Sequence, residues 1–283
     1  MWWVSPLPED WLAGSQLGKP VDYRVACDPG LLYPVARAPM REALGLSSAP
    51  PFGGADIWNA YELSWLNSRG KPQVALATIV FPAESPFIVE SKSLKLYLNA
   101  WSQVRAESAD MIRTAIAADL SRIAGANVLV RLQLPDSWAM ESLGELEGQS
   151  LDRLDVSCDS QTPDPALLRT TNGTDVVEEC LFTRLFRSNC PVTGQPDWAS
   201  IQLRYTGAPI DQAGLLQYLV GYRTHNAFHE QCVEQIFMDV LRTCQPMRLM
   251  VYARFTRRGG LDINPWRSNF STPMPANLRQ PRQ

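Results

Sequence analysis

Residues 176–205 read VVEECLFTRLFRSNCPVTGQPDWASIQLRY and contain two predicted β-strands joined by a loop. In the second strand, residues 199–205, apolar and polar side chains alternate with the two-residue period of a half-buried strand. The loop over 187–200 has no hydrophobic period and holds Cys190 and Asp197. The pattern therefore predicts a strand pair whose connection carries a thiol and, seven residues later, a carboxylate.

The residues after this strand pair predict two helices and then two more strands. Helical segments are indicated at 211–222 and 226–244, and the apolar residues of the longer one form a stripe along one face. A strand is indicated at 248–256 and a last edge strand at 261–268, with the turn RRGG between them. The second half therefore has the order strand, strand, helix, helix, strand, strand.

The first half shows a similar order of elements. Strands are predicted at 57–66 and 73–81, a helical segment within 87–101, a helix over 108–125 and a strand over 127–134. We therefore predict an α+β protein of two related units, each an antiparallel sheet with paired helices.

The predicted boundary between the two units lies in residues 135–175, which are rich in Gly, Asp, Thr and Pro. We place the first domain at 1–150 and the second at 151–283. Residues 1–55 are rich in proline and glycine, and we expect them to form an irregular arm on the first domain.

The composition is that of a soluble globular protein. Of its 283 residues, 45% are hydrophobic and 19% are charged, and the net charge is -3. This charge argues against direct binding of nucleic acid or of an anionic membrane. No apolar run approaches the roughly 20 residues of a membrane span, and the first residues lack the pattern of a signal peptide. We therefore expect a cytoplasmic protein.

Six cysteines are present, and no two of them form the C-x-x-C pair of a zinc ribbon or a thioredoxin-like motif. In a reducing compartment all six are expected to be free thiols. Cys180, in a predicted strand, and Cys232, on the apolar face of a predicted helix, are expected to pack in the core. Cys190 differs because it lies in a loop, where it is either a nucleophile or merely an exposed thiol.

Asp197 and the two histidines are further candidates for chemistry. Asp197 ends the loop, where it either caps the turn through its own backbone or handles protons for Cys190. His225 and His229 have the four-residue spacing of metal ligands on a helix, but no third ligand and no H-E-x-x-H motif accompany them. We predict no metal site, and we interpret His229 and Glu230 as a hydrogen-bonding pair for the edge of a flat heterocycle.

Two other features have both a structural and a functional explanation. Glu90 and Glu230 lie near the starts of predicted helices, where a carboxylate is favoured by the helix dipole whether or not it binds a ligand. The segment TRRGG (256–260) offers arginines and glycine amides to a phosphate, although a solvated charged turn is the simpler explanation. Neither a G-x-G-x-x-G fingerprint nor a P-loop is present.

Five segments of the chain match the motifs of one known family. They are GADIWNAYELSWLN (54–67), ESKSLKLYLN (90–99), SNCPVTGQPDWAS (188–200), HNAFHEQCVEQIF (225–237) and YARFTRRGGLDINPWRS (252–268). Together these segments resemble the QueF family of nitrile reductases, which convert 7-cyano-7-deazaguanine into 7-aminomethyl-7-deazaguanine. The match covers nearly the whole chain, in the long two-module form of the family.

The resemblance implies a fold and a biological setting. Each module would adopt a tunnelling fold, and the sheets of a homodimer would assemble into a barrel. The family acts in queuosine biosynthesis for tRNA modification, on the free base before its insertion into tRNA, so direct contact with nucleic acid is not expected.

The resemblance also implies roles for individual residues. Cys190 would add to the nitrile as a thiolate and form a covalent thioimide, which two NADPH molecules reduce to the amine. The implied catalytic residues are Cys190, Asp197 and His229. The implied substrate-binding residues are Val89, Glu90, Ser91, His229 and Glu230. The implied NADPH-binding residues are Ser91, Lys92, Arg258 and Gly259.

Two alternatives stay open at this point. A cysteine-dependent hydrolase of nitriles or amides would also use Cys190 with an acid, but it would consume no NADPH and would release ammonia. A non-catalytic module that binds purines or pterins would bind the heterocycle without reacting. The two segments TRRGG and ESKS favour the reductase because they provide charged and polar groups for a dinucleotide.

Overall fold

The computed structural model describes residue 14 and residues 28–46, 49–140, 142–171 and 175–283. The chain forms two compact units. The first contains Met1–Ala49, Asp56–Ser142 and Arg257–Asp262, and the second contains Pro50–Ala55, Leu143–Thr256 and Ile263–Gln283. The main division at 142/143 lies near the predicted boundary at 150/151, which stays a prediction. Two short segments, Pro50–Ala55 and Arg257–Asp262, belong to a different unit from the residues on either side of them in the chain. The sequence pattern did not indicate this.

Helices and antiparallel strands make up both units, so the α+β class is confirmed. The first unit contains β1 (Pro34–Ala36), α1 (Ala38–Ala43), most of β2 (Gly53–Leu66), β3 (Pro72–Pro82), β4 (Phe87–Val89), α2 (Ser91–Ala100), α3 (Ala109–Ala124) and β5 (Leu129–Gln133). The second contains β6 (Gln149–Ser150), β7 (Val177–Asn189), β8 (Pro196–Gly207), α4 (Gln212–Val220), α5 (His229–Cys244), β9 (Arg248–Phe255) and most of β10 (Leu261–Ser268).

In the sheet of the second unit, the predicted strand pair β7 and β8 lies next to the last two strands, β9 and β10. There the order is β10-β9-β8-β7-β6, and all pairs except the parallel β6–β7 pair are antiparallel. In the first unit, β3 lies between β2 and β5. Helix α5 packs against β9 and buries its apolar stripe, as the pattern predicts.

A buried ion pair fixes α5 to the sheet of the second unit. Arg267 on β10 donates from Nε and Nη2 to Oε1 of Glu234, at 3.0 and 2.8 Å. Both side chains are almost fully buried. Removal of either partner would leave an uncompensated buried charge, which is strongly destabilising. The start of α5 is therefore held in a defined position.

The predicted arm over residues 1–55 is not wholly irregular. Among its described residues, β1 pairs in antiparallel register with β4, with Val35 opposite Ile88, and α1 follows at once. Arg37, just before α1, forms a buried ion pair with Asp56 at 2.5 Å. The regular structure of this segment depends on partners far along the chain, and local periodicity does not reveal such partners.

The strand at 261–268 was predicted as an edge strand, and this prediction is wrong. All eight residues of β10 are buried. In the second unit β10 pairs with β9. In the first unit its residue Asp262 accepts hydrogen bonds from Asn59 and Tyr61 of β2. A sequence pattern cannot distinguish an edge strand from a strand with neighbours on both sides when its polar residues are paired internally.

Within the described residues, no helix has both the length and the apolar character needed to cross a membrane.

Candidate active site

The connection between β7 and β8 is a short, tightly hydrogen-bonded loop. Strand β7 extends to Asn189 and β8 begins at Pro196, so both strands continue into the stretch that the sequence indicates as loop. Cys190 donates its N–H to the carbonyl of Gln195 at 2.9 Å and accepts from the N–H of Gly194 at 3.0 Å. Gly194 has φ 66°, a left-handed conformation that favours glycine. Cys190 is thus held at the base of the loop.

Cys190 is a free thiol and only 5% exposed. The sequence-based alternative of a merely exposed loop cysteine is therefore wrong. Cys232 is buried, as predicted, whereas Cys180 is half-exposed on β7 and its sulfur contacts the carbonyl of Glu147 at 3.3 Å, so its predicted place in the core is wrong. Cys27 lies outside the described residues.

Asp197 is a buried strand residue rather than a cap of the turn. It is the second residue of β8, lies opposite Ser188 of β7 and is 4% exposed. Its Oδ2 atom is 3.4 Å from Nε2 of His229. A buried carboxylate at the end of a strand, directed at a histidine, is suited to proton transfer.

His229 reaches Asp197 because the segment before α5 is tied to the loop. Asn189 donates its N–H to the carbonyl of His225 at 2.9 Å, and Ala227 donates to the carbonyl of Asn189 at 3.1 Å. These bonds hold residues 225–227 in extended form, so α5 begins at His229 and not at the predicted 226. His225 therefore lies outside the helix, and the argument that both histidines share one helical face fails.

Phe255 fixes the orientation of the His229 ring. The two rings are stacked with centroids 3.8 Å apart and planes within 9°. With Nε2 facing Asp197, the Nδ1 atom is buried and has no hydrogen-bond partner among the described residues. One ring nitrogen of His229 therefore keeps its hydrogen-bonding capacity unused. The sequence did not indicate Phe255, because it is one apolar residue in an apolar strand.

Glu230 and Cys232 lie in the first turns of α5. The side chain of Glu230 is 3% exposed, and the helix dipole favours its negative charge there. Burial raises the pKa of Cys232 to about 12, and the negative charges of Asp197 and Glu230 add to the rise. Cys232 therefore stays a protonated thiol beside the two carboxylates, which argues against a nucleophilic role for it.

The other predicted site residues lie in the first unit, at the start of α2 and in the turn before β10. Val89 ends β4 and is buried. Glu90 is the N-cap of α2, and its carboxylate accepts from the N–H groups of Lys92 and Ser93 at 2.6 and 2.8 Å. Ser91 begins the helix. A carboxylate oxygen has more than one lone pair, so this cap does not prevent Glu90 from accepting a further hydrogen bond.

Arg258 and Gly259 lie in the turn that precedes β10, beside α2. Gly259 has φ 58°, and a Cβ atom built there would contact the side chain of Lys95 at 3.5 Å. Lys95 is three residues after Lys92 on α2, which places both on neighbouring positions of one helical face. The first unit therefore presents Lys92 and Lys95 on one face of α2 beside the turn that holds Arg258 and Gly259, a set of residues that fits the phosphates of NADPH.

No group of three His, Cys, Asp or Glu side chains among the described residues could hold a metal ion.

Comparison with known proteins shows the family of this chain. The family model for the N-terminal part of the nitrile reductase 7-cyano-7-deazaguanine reductase matches residues 23–132, and that for QueF-like protein matches residues 196–273. The NADPH-dependent 7-cyano-7-deazaguanine reductase of Burkholderia pseudomallei (strain 1106a) is 56% identical over 269 residues, covering 95% of this chain and 98% of the relative. This chain belongs to that family.

A second family member, the NADPH-dependent 7-cyano-7-deazaguanine reductase of Burkholderia thailandensis, is also 56% identical over 269 residues. Among solved structures, the archaeosine synthase QueF-Like in the apo form shares 15% identity, with a TM-score of 0.31 over 36% of this chain and all of that chain. This structural likeness is too weak to carry an argument.

Proposed function

We propose that this chain reduces the nitrile of 7-cyano-7-deazaguanine to the primary amine, with Cys190 as the nucleophile. The 7-cyano-7-deazaguanine reductase family to which it belongs supplies the reaction and its NADPH dependence. The observation that carries the residue assignment is the buried Cys190 at the base of its loop, next to the strand where Asp197 contacts His229.

The first step forms a covalent bond between the enzyme and the substrate. The sulfur of Cys190 adds to the cyano carbon, and the carbon–nitrogen triple bond becomes a double bond in a thioimide. Asp197 takes the proton of the thiol and passes it to the nitrile nitrogen, so the addition is balanced. His229, stacked on Phe255, has its Nε2 atom 3.4 Å from Oδ2 of Asp197 and would keep that carboxylate in place.

The remaining steps reduce carbon and release sulfur. NADPH bound in two successive rounds would supply one hydride each time, and these four electrons are the number that nitrile reduction to an amine requires. The carbon–sulfur bond breaks after the first reduction, and Cys190 returns to its starting state. Asp197 and His229 supply protons to the nitrogen as it becomes an amine.

Recognition of the heterocycle is assigned to residues at two helix starts. Glu230 and Glu90 would accept hydrogen bonds from N–H groups of the deazaguanine edge. Val89, Ser91 and His229 would line the same ligand. On the cofactor side, Ser91, Lys92, Arg258 and Gly259 would contact the phosphates.

We also propose a homodimer with the tunnelling fold of the family, in which the sheets of two chains assemble into a barrel. The support is the order of elements in each unit together with family membership. Light scattering after size-exclusion chromatography measures the assembly, and a mass of one chain would contradict the proposal.

The test of Cys190 is to trap its adduct. We expect intact-protein mass spectrometry, after incubation with the nitrile and without NADPH, to show the added mass of one substrate, and peptide mapping to place it on Cys190. Cys190→Ala should lose the adduct, while Cys158→Ala, which removes an exposed thiol, should keep it. An unmodified wild-type protein at saturating nitrile would refute the mechanism.

A second measurement separates the reductase from the two alternatives. The reductase should consume two NADPH per amine formed, whereas a hydrolase would release ammonia without NADPH. A non-catalytic module would bind the nitrile and consume nothing.

A further inference from the structure

Three arginines surround the indole of Trp198 in the second unit. The guanidinium carbons of Arg187, Arg223 and Arg282 lie 5.6, 5.5 and 5.4 Å from the ring centre. Any two of these carbons are therefore at most about 11 Å apart. We call these three side chains the arginine cluster.

The members of the arginine cluster differ from other arginines of the second unit in their hydrogen-bond partners. Other arginines of the second unit, such as Arg184 and Arg267, form ion pairs with carboxylates, but within the described residues none of the three cluster members does. Their local acceptors are neutral oxygens. Arg187 donates to Oδ1 of Asn189 at 3.2 Å, and Arg282 donates to the carbonyl of Arg184 at 2.8 Å. The three positive charges therefore repel one another, and no carboxylate in the described part of the chain forms an ion pair with them.

Partial burial of the side chain adds to the cost of the positive charge of Arg187. Its side chain is half-buried, and its Nε atom is enclosed without a hydrogen-bond acceptor among the described residues. An enclosed N–H without an acceptor is costly because its bonds to water have not been replaced. The indole face attracts each guanidinium only weakly. An anion at the cluster would supply the missing negative charge.

Asn189 connects the arginine cluster to the catalytic loop. Its side-chain oxygen accepts from Arg187, and its side-chain nitrogen is 3.5 Å from the carbonyl of Arg223. Its backbone bonds the segment that leads to His229, and Cys190 follows it directly. Trp198 follows Asp197, but alternation along β8 directs their side chains to opposite faces of the strand. The cluster is therefore joined to the catalytic loop without being part of the Asp197–His229 pair.

We infer that the arginine cluster is a binding site for a phosphate or pyrophosphate group. Guanidinium groups bind such oxyanions in bidentate fashion, and several of them together match a group with more than one negative charge. The group belongs either to a free anion or to a dinucleotide. The inference uses none of the residues assigned to the heterocycle or to NADPH above, and it stands or falls separately from the proposed reaction.

The test is a calorimetric titration of the full chain at low ionic strength with inorganic pyrophosphate and, separately, with NADP⁺. The cluster variant is Arg223→Gln/Arg282→Gln, which changes two exposed side chains. The matched control is Arg153→Gln/Arg169→Gln, which removes the same charge from two other exposed arginines of the second unit. Thermal unfolding of each variant checks that the fold is kept.

We expect saturable binding of pyrophosphate to the wild type, weakened at least about tenfold in the cluster variant and unchanged in the control. Added salt should weaken it further. Competition by NADP⁺ would identify the dinucleotide as the carrier of the group, and lack of competition would identify a free anion. Absence of saturable pyrophosphate binding to the wild type, or equal weakening in both variants, would overturn the inference.

Discussion

Two helix starts, one in each unit, carry a glutamate and use it differently. At the start of α2, Glu90 is the N-cap, and its two oxygens accept from the N–H groups of Lys92 and Ser93. At the start of α5, the N-cap residue Phe228 provides no side-chain cap, and Glu230 is the second residue of the helix. The first carboxylate stabilises its own helix, while the second does not cap the end of α5.

The comparison shows that the start of α5 has less local stabilisation than the start of α2. An N-terminus without a side-chain cap is less stable by about 1 kcal/mol. In return, α5 places His229 and Glu230 in its first turn beside Asp197. At the start of α2 such polar groups stabilise the fold, whereas at the start of α5 they are available to a ligand and for proton transfer.

The largest effect expected from this comparison is on chemistry near α5. Asp197→Asn keeps the size of the side chain but removes proton transfer, so we expect kcat to fall on the order of a hundred- to a thousandfold with the nitrile still bound. Stopped-flow measurement of NADPH consumption, together with a binding titration, separates the two quantities. Loss of binding with normal turnover at saturation would reassign Asp197.

Substitution of Glu230 should weaken binding of the heterocycle. A hydrogen bond from a ligand to a buried carboxylate contributes roughly 1.5–3 kcal/mol, so we expect Glu230→Gln to raise the Kd of 7-cyano-7-deazaguanine by about ten- to a hundredfold. Glu178→Gln, on an exposed position of β7, is the control. Equal Kd values for the two variants would remove Glu230 from the binding site.

Glu90 allows the two roles of a helix-start carboxylate to be separated. Glu90→Ala should lower the free energy of unfolding by about 1 kcal/mol, whereas Glu90→Ser retains a capping oxygen and should lose much less. If Glu90 also binds the heterocycle, both variants should raise the Kd for the nitrile. Denaturant unfolding and titration with the nitrile measure these quantities, and a wild-type Kd in both variants would leave Glu90 as a cap alone.

The smallest effect concerns pH and His225, just before α5. Burial lowers the pKa of His225 below its usual 6.5. As the pH falls through 6.5, the unfolded chain therefore binds a proton before the folded chain does, and this residue makes the folded state less stable at lower pH. His225→Phe should flatten the dependence of the unfolding free energy on pH between 7 and about 5.5. An unchanged slope would exclude His225 as its source.

Local periodicity predicted most elements because burial on one face repeats along the chain. The helix at 108–125 is found at Ala109–Ala124, with Ser108 as N-cap and Gly125 in the left-handed conformation. The strands at 57–66 and 248–256 are found at Gly53–Leu66 and Arg248–Phe255. Errors occurred where a distant partner decides the conformation, as at the start of α5.

The candidate site was only partly visible in the sequence. Cys190 was separated from the other thiols by its position in a loop without periodicity, and the resemblance to the family supplied its partners. The pattern did not show that Cys190 is buried, that Asp197 is a strand residue, or that Phe255 stacks on His229. Each of these facts depends on contacts between residues far apart in the chain.

The amino-acid sequence by itself determined the order of helices and strands, the α+β class and the family, since these follow from local periodicity and short motifs. Only the tertiary structure decided which polar groups meet: Asp197 with His229, and Glu90 with the N–H groups of its own helix. It also set three arginines around Trp198. The physical reason is that such contacts depend on the packing of whole elements, which no local pattern encodes.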